Sequence, residues 1–246
     1  MHHVTHVPLA GAFGGGGLFG TGYAMGVLDG LREQGIDLST APMVGTSAGS
    51  WAAAATALGV GFDQLAALDV PRFPDPGSGV LANSARRVFG NAMRGNVHAI
   101  ACALPRLRRT ELDGAKFPLS TIVAASSAVP GLLSPQRIEG RWYIDGGVRS
   151  GVSVDLAAPA DLLIVIAPLA GAMFGPFNNL VERNTAREIE AWKESCGGNV
   201  RLFAPTADTA KIATLPRMAF PKTRRAELAK TPEPGSGKRG TSSAAS

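Results

Sequence analysis

The sequence has few of the residues on which several classes of protein depend. Its two cysteines, Cys102 and Cys196, lie far apart and fit no metal-binding spacing, so we expect each to be a buried, reduced thiol. No stretch of about 18 uninterrupted apolar residues occurs, so a membrane-spanning helix is not expected. The first residues lack a basic segment followed by a long apolar core and do not indicate a signal peptide. Together these absences favour a cytoplasmic protein.

Aromatic residues are also scarce, at 6%, although the chain is basic, with a net charge of +5 and a pI of about 9.6. Excess positive charge serves nucleic acid, anionic lipid or solubility alone. No aromatic residues interleave with the arginines as a base-stacking platform requires, so we expect no nucleic-acid partner. Much of the charge lies in the acid-free stretch Gly77–Thr110, which contains Arg86, Arg87, Arg94, Arg106, Arg108 and Arg109.

Apolar residues are spaced between these arginines, including Val80, Leu81, Val88, Phe89 and Met93. One hypothesis is a basic amphipathic cover near a functional site, in peripheral contact with an anionic membrane surface. The alternative is an ordinary solvated helix packed on the core.

The order of segments predicts the fold class. A chain of 246 residues usually forms one domain, here expected over residues 1–230, because residues 231–246 lose their apolar content and are expected to be disordered. Strand and helix patterns alternate, which predicts an α/β sandwich with a largely parallel sheet. The predicted strands are Val4–Ala12, Pro42–Thr46, Val97–Ala103, Leu162–Ala167 and Val200–Ala204, with a hairpin over Arg137–Ile144; the predicted helices are Gly20–Glu33, Ser47–Leu58, Pro118–Ala125 and Asn178–Glu194.

Gly45–Thr46–Ser47–Ala48–Gly49 is a G-x-S-x-G pattern between a predicted strand and a predicted helix. A nucleophile on a sharp strand-to-helix turn needs glycines beside it, because side chains there would clash. The helix N-terminus also favours negative charge that develops near the serine. Ser47 is therefore a candidate nucleophile, the alternative being a structural turn serine.

A second glycine cluster, Gly14–Gly17 followed by Leu18, Phe19 and Gly20, also lies between a strand and a helix. Consecutive glycines let backbone N–H groups point into a cavity, where they can hold an oxyanion. The cluster also satisfies the dinucleotide-binding pattern G-x-G-x-x-G, but the next strand ends in Gly45 and Ser47 instead of the acidic residue that holds a ribose. A purely structural turn is a third interpretation.

Asp145–Gly146–Gly147 follows the last strand of the predicted hairpin, and alone it indicates only a turn. The small number of histidines makes Asp145 a stronger candidate, since the chain contains only His2, His3, His6 and His98. None of the familiar Ser–His–acid orders can be built from these positions. The base for Ser47 is then a lysine or a carboxylate, and Asp145 is the best-placed candidate.

These motifs, in this order, resemble those of the patatin-like phospholipase family over roughly Val7–Pro205. Gly15–Gly20 is similar to its oxyanion block, Gly45–Gly49 to its serine elbow, and Asp145–Gly147 to its Asp-Gly-Gly element. Ala125–Gly131 is similar to the family's Ala-Ser-x-Ala-x-Pro stretch. One position departs from the family, which often has Arg or Lys where this chain has Phe19.

The resemblance implies a three-layer α/β/α fold and a Ser47–Asp145 dyad that cleaves acyl esters of lipids, without a metal or cofactor. It further implies oxyanion N–H groups from Gly15, Gly16 and Gly17, joined by Ala48. Two alternative functions remain: a transacylase with the same dyad, and a catalytically silent lipid-binding protein.

Overall fold

The computed structural model describes residues 6–68, 79–170, 176–206 and 209, with the backbone alone for residues 176–178. The predicted tail, residues 231–246, and its boundary with the domain therefore lie outside the described residues. The strands are β1 Val7–Phe13, β2 Met43–Thr46, β3 Val97–Ala103, β4 Arg108–Asp113, β5 Gln136–Ile138, β6 Arg141–Asp145, β7 Ala160–Ile166 and β8 Asn199–Phe203. The helices are α1 Gly17–Glu33, α2 Ala48–Leu58, α3 Phe62–Ala66, α4 Val80–Phe89, α5 Leu119–Ser126 and α6 Pro176–Cys196.

The eight strands form one mixed, mostly parallel sheet in the order β5-β6-β3-β2-β1-β7-β8, with β4 paired to β3. β1 is parallel to β2 and β7, β2 is parallel to β3, and β7 is parallel to β8. Hydrophobic side chains of α1, α2 and α5 pack on one face, while those of α6 pack on the other. The predicted α/β sandwich with a largely parallel sheet is confirmed.

Strand β3 has two differently occupied edges. β4 pairs antiparallel with residues His98 to Ala103 along one edge. The other edge is shared, because β2 pairs with the first four residues of β3 and β6 with its last three. The ends of β2 and β6 meet there, since Thr46 pairs with Ile100 and Asp145 pairs with the next residue, Ala101.

The stretch before β3 contains the helix on which the amphipathic-cover hypothesis rests. α4 buries Leu81, Ala85 and Phe89 and leaves Arg86 exposed. It contacts α5 and α2, and the ring of Phe89 lies 5.5 Å from that of Trp51. α4 is therefore packed on the core through its apolar face, and contact of its basic face with anionic lipid stays a prediction.

The first turn of α2 touches the end of β1, and this contact requires glycine. A methyl group on Gly49 would overlap the carbonyl oxygen of Phe13, and one on Gly45 would lie 2.6 Å from the carbonyl carbon of Gly49. Backbone thus packs directly on backbone where β1, β2 and α2 converge. Among the described helices, none is both long and apolar enough to cross a bilayer.

We expect Gly49→Ala to destabilise the protein by about 3 kcal/mol or more, because the added methyl group has no room to relax between two backbones. Gly30→Ala is the matched control. It lies inside α1, where a methyl group would meet no described atom beyond its own helical turns within 4 Å, so we expect a gain of about 0.5–1 kcal/mol. Urea denaturation of both variants checks this, and equal midpoints would contradict it.

Candidate active site

Ser47 lies on the turn between β2 and α2, in a backbone conformation that side chains rarely adopt. Its φ is 53° and its ψ is −120°, and it is the residue that precedes the first turn of α2. Strain of this kind persists only where surrounding contacts hold it, and it is concentrated at functional sites. The side chain is partly exposed, while its neighbours Thr46 and Ala48 are buried. Ser47 therefore lies on a sharp, strained turn between a strand and a helix.

Asp145 accepts the backbone N–H of Gly147 at 2.6 Å, and the Ser47 hydroxyl acts on its carboxylate as a hydrogen-bond donor that lowers the pKa of Asp145. Asp145 is 5% exposed. Burial raises its pKa from 3.8 to about 6, although both hydrogen bonds favour the charged form and oppose this shift. Near neutral pH the group is largely a carboxylate, yet it holds a proton more readily than an ordinary aspartate.

The N–H groups of the glycine cluster are not equivalent. Gly14 donates to the carbonyl of Ile166 at 2.8 Å, and Gly15 donates to that of Gly151 at 2.9 Å. The N–H groups of Gly16 and Gly17 have no acceptor among the described residues. Gly15 was expected to supply an oxyanion donor, but its N–H is already engaged in holding the loop. The candidate oxyanion donors of this cluster are therefore the N–H groups of Gly16 and Gly17.

A further free donor comes from α2. Ala48 is the first residue of this helix, so its N–H has no partner within the helix. The glycine cluster reaches this donor because α1 and α2 pack closely. A methyl group on Gly20 would lie 3.2 Å from Cβ of Ala48, and one on Gly15 would lie 3.4 Å from Cβ of Ser47.

Ser126 is a site residue to which sequence reasoning assigned no role. Its hydroxyl accepts the backbone N–H of Ser47 at 2.8 Å and donates to the carbonyl of Ile100 at 2.7 Å. It therefore ties the elbow to β3 at the point where β2 and β6 meet. The neighbouring Ser127 accepts the indole N–H of Trp51 at 3.0 Å, which fixes α2 against α5. Only the resemblance of Ala125–Gly131 to a family motif pointed to this segment.

The chain after Asp145 is held by a partly exposed ionic cluster. Glu188 of α6 accepts the N–H of Val154 at 3.0 Å and pairs with Arg109 of β4 at 3.3 Å. Arg109 also pairs with Asp155. Burial raises the pKa of Glu188, against hydrogen bonds from Ser150 and the Val154 N–H. This cluster positions the segment whose Gly151 carbonyl receives the Gly15 N–H.

Two other sequence-based expectations concern side chains near the site. Nδ1 of His98 lies 2.9 Å from a carboxylate oxygen of Glu111 across β3 and β4, and this neighbouring carboxylate raises the pKa of His98. It is thus engaged with Glu111 and not with Ser47. Phe19, where the family often has a cation, is 5% exposed, and its ring centroid lies 6.0 Å from that of Tyr23. Within the described ranges, no cluster of His, Cys, Asp and Glu could hold a metal ion.

The fold and the site together define an α/β protein in which a strained serine on an elbow lies beside the end of a strand that carries a buried aspartate. Residues 63–158 match the family model described as patatin-like phospholipase. The resemblance to the patatin-like phospholipase family is confirmed over this range. The matched range is shorter than half of the chain; it includes Asp145 and Ser126 but begins after Ser47.

Twelve chains among solved structures match as well. One is described as the crystal structure of VipD from Legionella pneumophila, with 12% identity and a TM-score of 0.42. The match covers 77% of this chain and 54% of that chain, so this chain spans about half the length of the structure it matches. No curated protein matches the sequence significantly.

The raised pKa of Asp145 predicts that this residue lowers stability at high pH. Between 3.8 and about 6 the folded protein binds more protons than the unfolded chain, so stability falls as pH rises through this window. The shift corresponds to about 3 kcal/mol. We expect Asp145→Asn to be more stable than the parent by up to that amount at about pH 8, with the gain vanishing towards about pH 4.

Urea denaturation across this pH range checks the prediction. Asp63→Asn, at an exposed position of α3, is the control and should show no comparable pH-dependent gain. A gain for Asp145→Asn that is the same at every pH would contradict the assigned burial cost.

Removing the Ser126 hydroxyl should disturb the elbow selectively. Ser126→Ala leaves the Ser47 N–H and the Ile100 carbonyl without their partner, which costs about 1–3 kcal/mol. Ser120→Ala is the matched control, because Ser120 is also buried on α5 and donates to the carbonyl of Gly90 at 2.8 Å. We expect labelling of Ser47 by a fluorophosphonate to slow by about tenfold to a hundredfold in Ser126→Ala alone. Equal slowing in both variants would mean that Ser126 acts only through stability.

Proposed function

We propose that this chain is a serine lipid acyl hydrolase of the phospholipase A, lysophospholipase or esterase type, in which Ser47 is the nucleophile and Asp145 its base. The observation that carries the proposal is that β2 and β6 end opposite neighbouring residues of β3, so that the elbow with Ser47 meets the buried Asp145, whose pKa the Ser47 hydroxyl lowers. A carboxylate within hydrogen-bond reach of a nucleophile, with a pKa raised towards neutrality, is suited to general-base catalysis.

The reaction is a two-step acyl transfer. Asp145 takes the hydroxyl proton as the oxygen of Ser47 attacks the ester carbonyl carbon, and the oxyanion is held by the N–H groups of Gly16, Gly17 and Ala48. The tetrahedral intermediate collapses, the leaving alcohol takes the proton from Asp145, and the acyl group stays on Ser47. Water, activated by the same carboxylate, then releases the fatty acid and restores the serine.

The substrate class follows from the family and from the apolar surroundings of the site. Leu132 and Val148 are 43% and 45% exposed. Val148 follows Asp145 by three residues, and Leu132 belongs to the loop whose Ala128 carbonyl accepts the N–H of Asp145 at 2.9 Å. The buried Phe19 offers no cation to an anionic head group, so acyl-chain contacts are expected to dominate selection.

Three variants test the dyad. Ser47→Ala and Asp145→Asn should each reduce hydrolysis of a panel of acyl esters by several orders of magnitude, and to a similar extent, because two residues that act as one unit are not additive. His98→Ala is the control and should cost only a modest factor, since His98 is paired with Glu111. Activity should also fall as pH is lowered through about 6, because Asp145 then becomes protonated.

The outcomes separate the alternatives. Loss of activity in folded His98→Ala with retention in Asp145→Asn would refute the dyad. Product diverted from free acid to ester by an added alcohol would indicate a transacylase. Absence of fluorophosphonate labelling in the parent protein would indicate a catalytically silent lipid-binding protein.

A further inference from the structure

Two hairpin tips extend past the candidate active site at the carboxyl end of the parallel strands. The β3–β4 turn follows Ala103. On β6, Tyr143 pairs with Ala103, and the strand begins two residues earlier, at Arg141. The elbow follows Thr46, which is level with Ile100. At about 3.3 Å per residue, the tips lie roughly 10–15 Å beyond Ser47 along the strand direction. We call residues 104–108 and 137–142 the hairpin rim.

The two tips of the hairpin rim are held together. The N–H of Leu104 donates to the carbonyl of Trp142 at 2.9 Å, and β6 pairs with both β3 and β5. The hairpin rim is thus one continuous surface supported by the sheet. It shares β6 with the candidate site, because the same strand ends in Asp145.

The hairpin rim is basic and has little acidic charge to balance it. Its exposed arginines are Arg106, Arg108, Arg137 and Arg141, and Glu139 is its only acid. Within the described part of the chain, none of these four arginines makes an ion pair. In contrast, the nearby Arg109 is engaged by Asp155 and Glu188.

An exposed tryptophan lies among these charges. Trp142 is 48% exposed, and the guanidinium of Arg137 lies 5.8 Å from the centre of its ring. An exposed indole beside unpaired arginines matches the interface of an anionic bilayer, where tryptophan sits at the level of the head groups and arginine meets their phosphates. The exposed apolar residues Leu132 and Val148 lie on the chain segments that adjoin Asp145.

We propose that the hairpin rim is the surface by which this protein docks on anionic lipid, with the candidate active site facing the bilayer. This inference rests on the proposed function, because docking through the hairpin rim would present the acyl esters of lipids to Ser47. The proposed membrane contact is therefore formed by the tips of the β3–β4 and β5–β6 hairpins and not by α4, whose apolar face is buried in the core.

Binding to vesicles tests the inference without any need for catalysis. The protein is used as Ser47→Ala, so that lipid is not consumed, and is co-sedimented with phosphatidylcholine vesicles with and without phosphatidylserine. We expect binding to require phosphatidylserine and to weaken with salt. Each arginine near such a surface contributes about fivefold to binding, so Arg137→Gln with Arg141→Gln should lower it by at least about tenfold.

Matched controls remove the same groups elsewhere. Arg183→Gln with Arg187→Gln removes two exposed arginines from α6, and Arg86→Gln removes one from α4. Trp142→Ala is compared with Leu202→Ala, because Leu202 is also 48% exposed but lies on the edge strand β8. Only the hairpin-rim variants should lose binding, and circular dichroism should be unchanged in all of them.

The results distinguish the two proposals. Equal binding to neutral and anionic vesicles, or a loss in the α4 or α6 controls equal to that in the hairpin-rim variants, would overturn the docking surface. Hairpin-rim variants that keep the native Ser47 should hydrolyse a soluble short-chain ester at the parental rate. They should hydrolyse an ester carried in vesicles more slowly than the parent does. Rim-dependent binding by a protein that hydrolyses no ester would leave the docking surface standing and refute the proposed function.

Discussion

The candidate site depends on one edge of β3 being shared by two strands that run in opposite directions. The last residue of β2, Thr46, pairs with Ile100, and the last residue of β6, Asp145, pairs with Ala101. The elbow that follows Thr46 and the side chain of Asp145 therefore lie at the same end of the sheet. Ser126 connects this point to the Ile100 carbonyl. Strand register thus brings a serine and an aspartate that are 98 positions apart to the same end of the sheet.

That convergence has an energetic cost which the surrounding structure must bear. A carboxylate that is 5% exposed loses hydration, and its pKa rises to about 6 as a result. The backbone of Ser47 is held at a positive φ. Both features are unfavourable for folding, and features of this kind are concentrated at functional sites. The direct packing of Gly49 on β1 and the Arg109–Asp155–Glu188 cluster supply the rigidity that keeps them in place.

The sequence allowed prediction of those parts of the fold whose local pattern matches their environment. β3 is a mostly buried run that is apolar apart from His98, and its predicted bounds are those observed. β4 was not predicted, because its residues Arg108–Asp113 are mostly charged and its pairing with β3 is the only visible reason for its extended form. The elbow could be predicted because its glycines are local requirements. The position of Ser126 against it could not, since that contact spans 79 residues.

The N–H groups of the glycine cluster are a second case in which long-range contacts could not be predicted from the sequence. Four consecutive glycines look equivalent in sequence, and family resemblance selects Gly15, Gly16 and Gly17 together. In the structure, Gly14 and Gly15 donate to carbonyls that arrive from Ile166 and Gly151, which are remote in the chain. Long-range partners therefore decide which donors remain for chemistry. Because Gly151 belongs to the segment that Glu188 holds through Val154, a residue on α6 helps to set the number of donors available beside Ser47.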